Sequence, residues 1–475
     1  MRALLAALAV GLALGLLASC SFITATGFNE CNADADCGAS RVCLQSFCIP
    51  LPERCSKAEG AFDQPDRIPL VALLPLTETP DGGAQDDSEL MGLNAMKLAV
   101  SEANDHEGIK SRRFALFFCN TGRDRGVLVS QLDWFINELH VPAVLTSGSS
   151  QTIAAASDPY RVDAGTMIMS ATSTSPELIT YYQVDHAVWR TAPPDTQQAI
   201  IIARLFASDP AYSSARRVTV VYDDSAYGQG LSAAIRQELT AIPAPRGPIT
   251  TVTIPFTSPT DPASLNASGG LVSKLLLSGP NATVLVAFPP DVSNIVSAAA
   301  TKFSLTRAGG HRWMLTDAAK DPVILSGPAS SELLDSLGTA PAQGAGAGYP
   351  NFHDRFFTRY NVSPDTYSFC SHSYDAMYLV MLACAWKWQG TADLPASLLN
   401  EGMAHVSTQS ATPVWVLGPN NWPGARAPLI NGQDINVEGA SGKLDYDLDA
   451  GAPASPYEVW RITDGGFVTT QVLTP

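Results

Sequence analysis

Hydroxyl and acid side chains recur at one kind of place in this chain. Ser149 and Ser150 follow the apolar run at 143–145, Thr172, Ser173 and Thr174 follow the run at 166–169, and Asp195 follows 188–194. Short apolar runs closed by Ser, Thr or Gly, each leading into a helix-compatible segment, are what a parallel α/β sheet requires, because its strands are buried on both faces. Ligands in such sheets bind beyond the carboxyl ends of the strands. There, hydroxyls and the free N–H groups of helix starts receive an anionic group such as a carboxylate, and Asp195 is suited to a cation. The competing reading is capping: Ser and Thr at helix starts, and Asp195 as the N-cap of a helix over 196–207.

The elements that must carry these residues read as alternating strands and helices. Strands are expected at 68–75 and 113–119. The helix over 89–105 places Leu93, Met96, Val100 and Ala103 on one face, and the helix over 124–139 does the same with Leu128, Leu132, Phe135 and Leu139. After residue 195 the grammar restarts, with helices at 196–207, 228–240, 263–278 and 292–308 and strands at 218–222, 249–256, 283–288 and 312–315. Residues 326–337, 352–360 and 371–386 read as helical. The Gly- and Ala-rich stretch 341–349 suits a return crossing, 413–433 reads as an irregular connection, and 457–462 and 466–473 are strand-like.

The chain has 475 residues, 29 Lys plus Arg against 45 Asp plus Glu, and a net charge of −16. An acidic chain without a basic run would displace few counterions from phosphates, so a nucleic-acid partner is not expected. Residues 1–19 carry one cation, then an apolar run shorter than a bilayer span, then small residues, which is a signal peptide. Leu17-Ala-Ser-Cys20 resembles a bacterial lipobox, with Cys20 as the lipidated residue. Export to the cell envelope or periplasm, lipid-anchored to a membrane, is the expectation, and with it an oxidising compartment.

Cys31, Cys37, Cys43 and Cys48 sit close together with gaps of five, five and four residues and no preceding histidine. Zinc modules carry shorter gaps and histidines, so disulfides are the better reading and no metal is expected. Four cysteines allow three pairings, and all three stay open. Cys55 and Cys119 form a candidate pair. Cys370 and Cys384, on one helix, would lie about 21 Å apart and cannot pair.

Several stretches together resemble the leucine/isoleucine/valine-binding family of extracytoplasmic solute-binding proteins, the type I periplasmic-binding fold. They are Gly148-Ser-Ser150, Ser170-Ala-Thr-Ser-Thr-Ser-Pro-Glu-Leu178, Arg190-Thr-Ala-Pro-Pro-Asp195, the helix containing Gly92 to Asn104, Val218 to Leu231, Phe356 to Tyr360, Ser373 to Ala376 and Gly439 to Asp447. The resemblance implies an α/β fold of two doubly wound parallel-sheet lobes joined by several crossings, preceded by a small disulfide-rich segment. The implied division is a signal peptide at 1–19, a lipidated tether and Cys-rich segment at 20–65, lobe 1 at 66–194 and 338–430, and lobe 2 at 195–337 and 431–475.

It also implies an amino-acid backbone in the interlobe cleft. Ser149, Ser150, Thr172, Ser173 and Thr174 would hold the carboxylate, Asp195 and Asp317 would accept from the ammonium, and Tyr227 would close over the ligand. Two departures, at Phe288-Pro-Pro290 and in the 76–88 loop, both fall at the side-chain end of the pocket. The implied function is ligand capture for the permease of an ABC importer, without catalysis and without a cofactor. The metalloprotease helix, the Gly-x-Ser-x-Gly elbow and the dinucleotide fingerprint are all incomplete in the sequence. The alternative is a lipoprotein that uses the same fold as a sensor or as a partner of another envelope protein, which the extra cysteine segment motivates.

Overall fold

The computed structural model describes residues 30–387 and 399–475. The signal peptide and Cys20 lie outside the described residues. Among the described residues no helix is long and apolar enough to cross a membrane.

Each apolar run becomes a buried strand. The first sheet has six strands in the order Val188–Arg190, Met167–Ser170, Ala143–Thr146, Ile68–Leu74, Phe114–Asn120, Cys55–Gly60, parallel except for the last. The second has seven, in the order Thr250–Phe256, Arg217–Asp223, Ala282–Val286, Arg312–Leu315, Leu337–Pro341, Tyr457–Thr463, Gly466–Leu473, with the final two antiparallel. Helices cover both faces of each sheet, which is why strands such as Ala143–Thr146 and Ala282–Val286 are buried at every residue. Among the described residues the chain passes between lobes three times, at 191–195, at 342–348 and at 454–456.

Four expectations are corrected. Residues 30–60 are not a free tether. Strand Cys55–Gly60 adds itself to the edge of the first sheet, and Cys55–Cys119 bonds it to its neighbour. Val42 and Leu51 pack into the lobe 1 core, and Arg67 forms an ion pair with the fully buried Asp34. Inside this module the pairs are Cys31–Cys43 and Cys37–Cys48. Second, residues 436–453, expected with lobe 2, pack on lobe 1. Asn436–Glu438 pairs with Val414–Val416, and Val437, Ala440, Leu444 and Tyr446 join the lobe 1 core. Third, the irregular 413–433 connection contains a helix, Trp422–Ile430, started by a proline at its first turn and anchored by the buried Trp422. Fourth, 326–337 holds only the short helix Ser330–Leu333 before strand Leu337–Pro341 begins. Cys370 and Cys384 are unbonded and buried along helix Cys370–Lys387.

Candidate functional site

The carboxyl ends of both sheets face each other across the first crossing, and the expected residues cluster there in two groups. At the seam, Thr174 follows strand Met167–Ser170 and its carbonyl accepts from the Asp195 N–H at 2.8 Å. Asp195 is not an N-cap: it is the first residue of helix Asp195–Ser208, whose cap is Pro194 with no side-chain hydrogen bond. Its carboxylate is fully buried, and neither oxygen has an aligned hydrogen-bond partner. The Thr174 hydroxyl lies beside it, near enough to favour the charged form but without an aligned bond of its own. From lobe 2, Tyr227 at the start of helix Ala226–Ala241 donates to Asp317 Oδ1 at 2.8 Å, with Thr316 Oγ1 at 2.9 Å from the same phenol.

Burial, then repulsion from Asp317, pushes the Asp195 carboxyl well above the usual carboxylate range, while Thr174 and Arg190 pull it back. Asp317 is raised by burial against hydrogen bonds from Tyr227 and Gln198. Tyr227 is raised by burial and by the two acids. Arg190 stands behind them, buried, donating through Nη1 to the carbonyls of Ser173 and Ser175, and burial lowers it to about 10. Two carboxyls thus meet at one desolvated point, where a cationic group would relieve both.

The second group lies on the lobe 1 wall. The Gly148 N–H donates to Thr172 Oγ1 at 2.8 Å, Thr172 and Ser147 share a hydroxyl bond of 2.8 Å, and Ser147 donates to Glu89 Oε1. Gly148, at φ 74°, turns the chain here and caps helix Ser149–Ala156. Glu89, half-buried, is raised to about 8 by burial and then by Asp86, against Ser147 and Arg123. The recess they line has a free volume of about 10 Å³, enough for about one water.

The lobes touch along this seam. The Ser150 hydroxyl accepts from the Ala226 N–H at 3.4 Å, the Arg123 guanidinium sits 4.6 Å from the Phe288 ring, and Ser368 Oγ donates to the Asp317 carbonyl at 3.0 Å. Gly230 faces Pro176 closely: an added Cβ would lie 3.0 Å from the proline ring, a tight contact that the ring would have to yield to. This is a closed arrangement of the two lobes, beside an open groove of about 700 Å³ between Pro176, Glu177 and helix Ala226–Ala241.

The structure therefore brings Thr174, Asp195, Asp317 and Tyr227 together, places Thr172 on the adjacent wall and sets Ser150 at the lobe contact. Ser149 is spent internally, its Oγ accepting from the Ser175 N–H at 3.2 Å. Ser173 is not at the cleft. Its hydroxyl is buried in a chain with Thr152 at 2.6 Å and Ser170 at 2.7 Å, because neighbouring residues after a strand turn to opposite sides. Glu89, Ser147, Arg123 and Gln198 were not foreseen. Acidic residues are ordinary in a first helical turn, and nothing in the local sequence marks Glu89 as different. The cysteine sulfurs of Cys31, Cys37 and Cys48 lie within 4.8 Å of one another, but all three are in disulfides and offer no thiolate to a metal.

Two wound lobes with a polar seam at the strand ends define a clamshell that binds small molecules between its halves, and the comparisons agree. Residues 77–420 match the family model for periplasmic binding proteins. The chain belongs to that family, whose members bind substrates outside the cytoplasm. It is similar to a chemotactic signal transduction system substrate-binding protein, BasB, of Halobacterium salinarum, with 24% identity over 386 residues covering 80% of this chain and 84% of that one. Among solved structures it resembles the leucine-binding protein LivK of Thermotoga maritima (TM-score 0.65, 17% identity, 86% of this chain and 99% of that one). It also resembles LivJ of Streptococcus pneumoniae in complex with isoleucine (0.64, 16%, 86% and 100%). A solute-binding protein of R. palustris in complex with 4-hydroxybenzoate is similar as well (0.62, 12%, 86% and 97%). The fold is the type I periplasmic-binding fold.

Proposed function

We propose that this protein is a non-catalytic capture component that closes its lobes on an amino acid or a similar small zwitterion and delivers it to the permease of an ABC importer. The observation that carries this reading is Asp195: a fully buried carboxylate with no aligned partner, facing Asp317 and Tyr227 from the other lobe. Left alone such an acid is costly, and an ammonium group placed between the lobes would satisfy both carboxyls at once. The carboxylate of the same ligand would meet Thr174 and the N–H groups after strands Ala143–Thr146 and Met167–Ser170. Closure is then favoured by the ligand's differential affinity for the closed state. Attachment through a lipid on Cys20 would hold the protein at the membrane surface.

A second reading, ligand sensing rather than transport, is favoured by the similarity to BasB and by the disulfide module docked on lobe 1. Both readings need a ligand. The test is a thermal-shift screen of the chain beginning at Ser21 with amino acids, amides and short acids, where a ligand at a hundredfold excess over Kd adds about 2.7 kcal/mol. A screen with no shift refutes capture of a zwitterion. Loss of uptake of the identified ligand on deletion separates transport from sensing.

A further inference from the structure

Glu89 is the third residue of helix Asp87–Asp105, whose N-cap is Asp86. A glutamate in that position ordinarily turns back to bond the N-cap N–H. Here the Asp86 N–H is taken by the Leu76 carbonyl at 2.9 Å, and the Glu89 side chain reaches outward to Ser147. Ser147 donates its proton to Glu89, which leaves its oxygen to accept from Thr172, whose own oxygen accepts from the Gly148 N–H. Two strand ends are thus wired to present one carboxyl at the ligand wall, in a recess whose remaining sides include the apolar Leu74, Met96 and Phe369.

Resting on the zwitterion reading above, we infer that Glu89 is a specificity residue and that the ligand carries a second cationic group, as in lysine, arginine or a related diamine acid. Thr174 lies beside Asp195, and Thr172, two residues earlier on the same strand end, belongs to the Glu89 chain, so the two acidic groups flank one strand end. Lysine and arginine carry a terminal cation on a long flexible stem. The charges that face Glu89 do not neutralise it. Asp86, on the same helix, repels it, and Arg123, from the turn before helix Arg125–Asn137, is held at 2.7 Å by Asp86 with its plane over Phe288. A neutral side chain in the recess would leave the carboxyl to close in protonated form. A cation would let it close ionised.

The test is calorimetric titration of the protein with lysine, arginine, leucine and glutamine at pH 6, 7 and 8, and of Glu89→Gln at pH 7. The expected result is lysine or arginine bound at least tenfold more tightly than leucine and glutamine, and that ratio falling at least tenfold in Glu89→Gln. In the wild type, the affinity for the basic ligand is flat from pH 6 to 8, whereas closure on a neutral ligand takes up a proton and weakens as pH rises. This pH contrast needs no variant and holds even if Glu89→Gln does not fold. Leucine or glutamine bound as tightly as lysine overturns the inference and leaves the capture reading standing. So does a lysine preference that survives Glu89→Gln. Binding of no zwitterion at all overturns both.

Discussion

Replacing Asp195 by Asn separates a ligand-binding acid from a structural one. In the closed seam the carboxylate is fully buried, has no aligned hydrogen bond and is repelled by Asp317, and Arg190 and Thr174 only partly offset this. Arg190 keeps its two backbone carbonyl acceptors without it. The ligand-free protein therefore loses little in Asp195→Asn, and its melting temperature should stay within about 3 °C, since 1 kcal/mol moves a lobe of this size by about 2–4 °C. With ligand the outcome differs. A charge-assisted bond to an ammonium contributes about 1.5–3 kcal/mol, so Kd should rise about 10- to 150-fold. At a ligand concentration a hundredfold above the wild-type Kd, stabilisation falls from about 2.7 to about 0.4 kcal/mol if Kd rises a hundredfold. Differential scanning fluorimetry with the ligand found in the screen reads both quantities. A variant that melts many degrees lower without ligand and keeps the full ligand shift would assign Asp195 to holding Arg190 and refute its role in capture.

Further outcomes follow from other contacts. Gly230→Leu should raise the ligand-free stability of helix Ala226–Ala241 by up to about 1 kcal/mol yet weaken binding at least tenfold, because the side chain meets Pro176 on closing; unchanged affinity would mean that the seam closes differently. Replacing Cys55 and Cys119 by Ala opens a link between residues 64 apart and should cost about 4 kcal/mol in chemical denaturation; a loss below 1 kcal/mol would mean that the module holds by packing alone. His372 is buried, its ring nitrogens have no partner, and burial lowers it to about 3. The unfolded chain binds a proton there below pH 6.5 and the folded chain does not, so stability is lost as pH falls, by about 2 kcal/mol at pH 5. Stability measured at pH 7 and pH 5 should show a smaller loss in His372→Gln than in the wild type, and equal losses would contradict this.

The two-lobed architecture was legible because each parallel strand had to be apolar on both faces, so runs such as 143–146 and 282–286 announced themselves without their neighbours. At the seam, Asp195 stood out by its position after a strand end, whereas Asp317 and Tyr227 were singled out only through the family resemblance. What the sequence could not separate was direction. Thr172, Ser173 and Thr174 are chemically alike and adjacent, yet only the turn geometry decides that Ser173 enters the Thr152 and Ser170 chain while Thr174 stays beside Asp195. The same holds for segments that pair far from their own place in the chain. Strand Cys55–Gly60 and strand Asn436–Glu438 have little periodicity of their own and find partners at Phe114–Asn120 and Val414–Val416. Their placement depends on long-range pairing, which local patterns do not encode.

Glu89 unites both difficulties. Its sequence context, Asp-Asp-Ser-Glu before an apolar stripe, is an ordinary acidic helix start, and a charge there already favours the helix dipole. Its distinct role depends on two facts from elsewhere: Leu76, ten residues before the N-cap, occupies the N–H that Glu89 would otherwise bond, and Ser147, 58 residues later, receives the freed carboxyl. On the zwitterion reading proposed above, Asp195 and Asp317 would take an ammonium, which any amino acid has, whereas Glu89 would take a group that leucine lacks. The wall built by Glu89, Ser147 and Thr172 would then decide which side chain can follow the ligand's backbone.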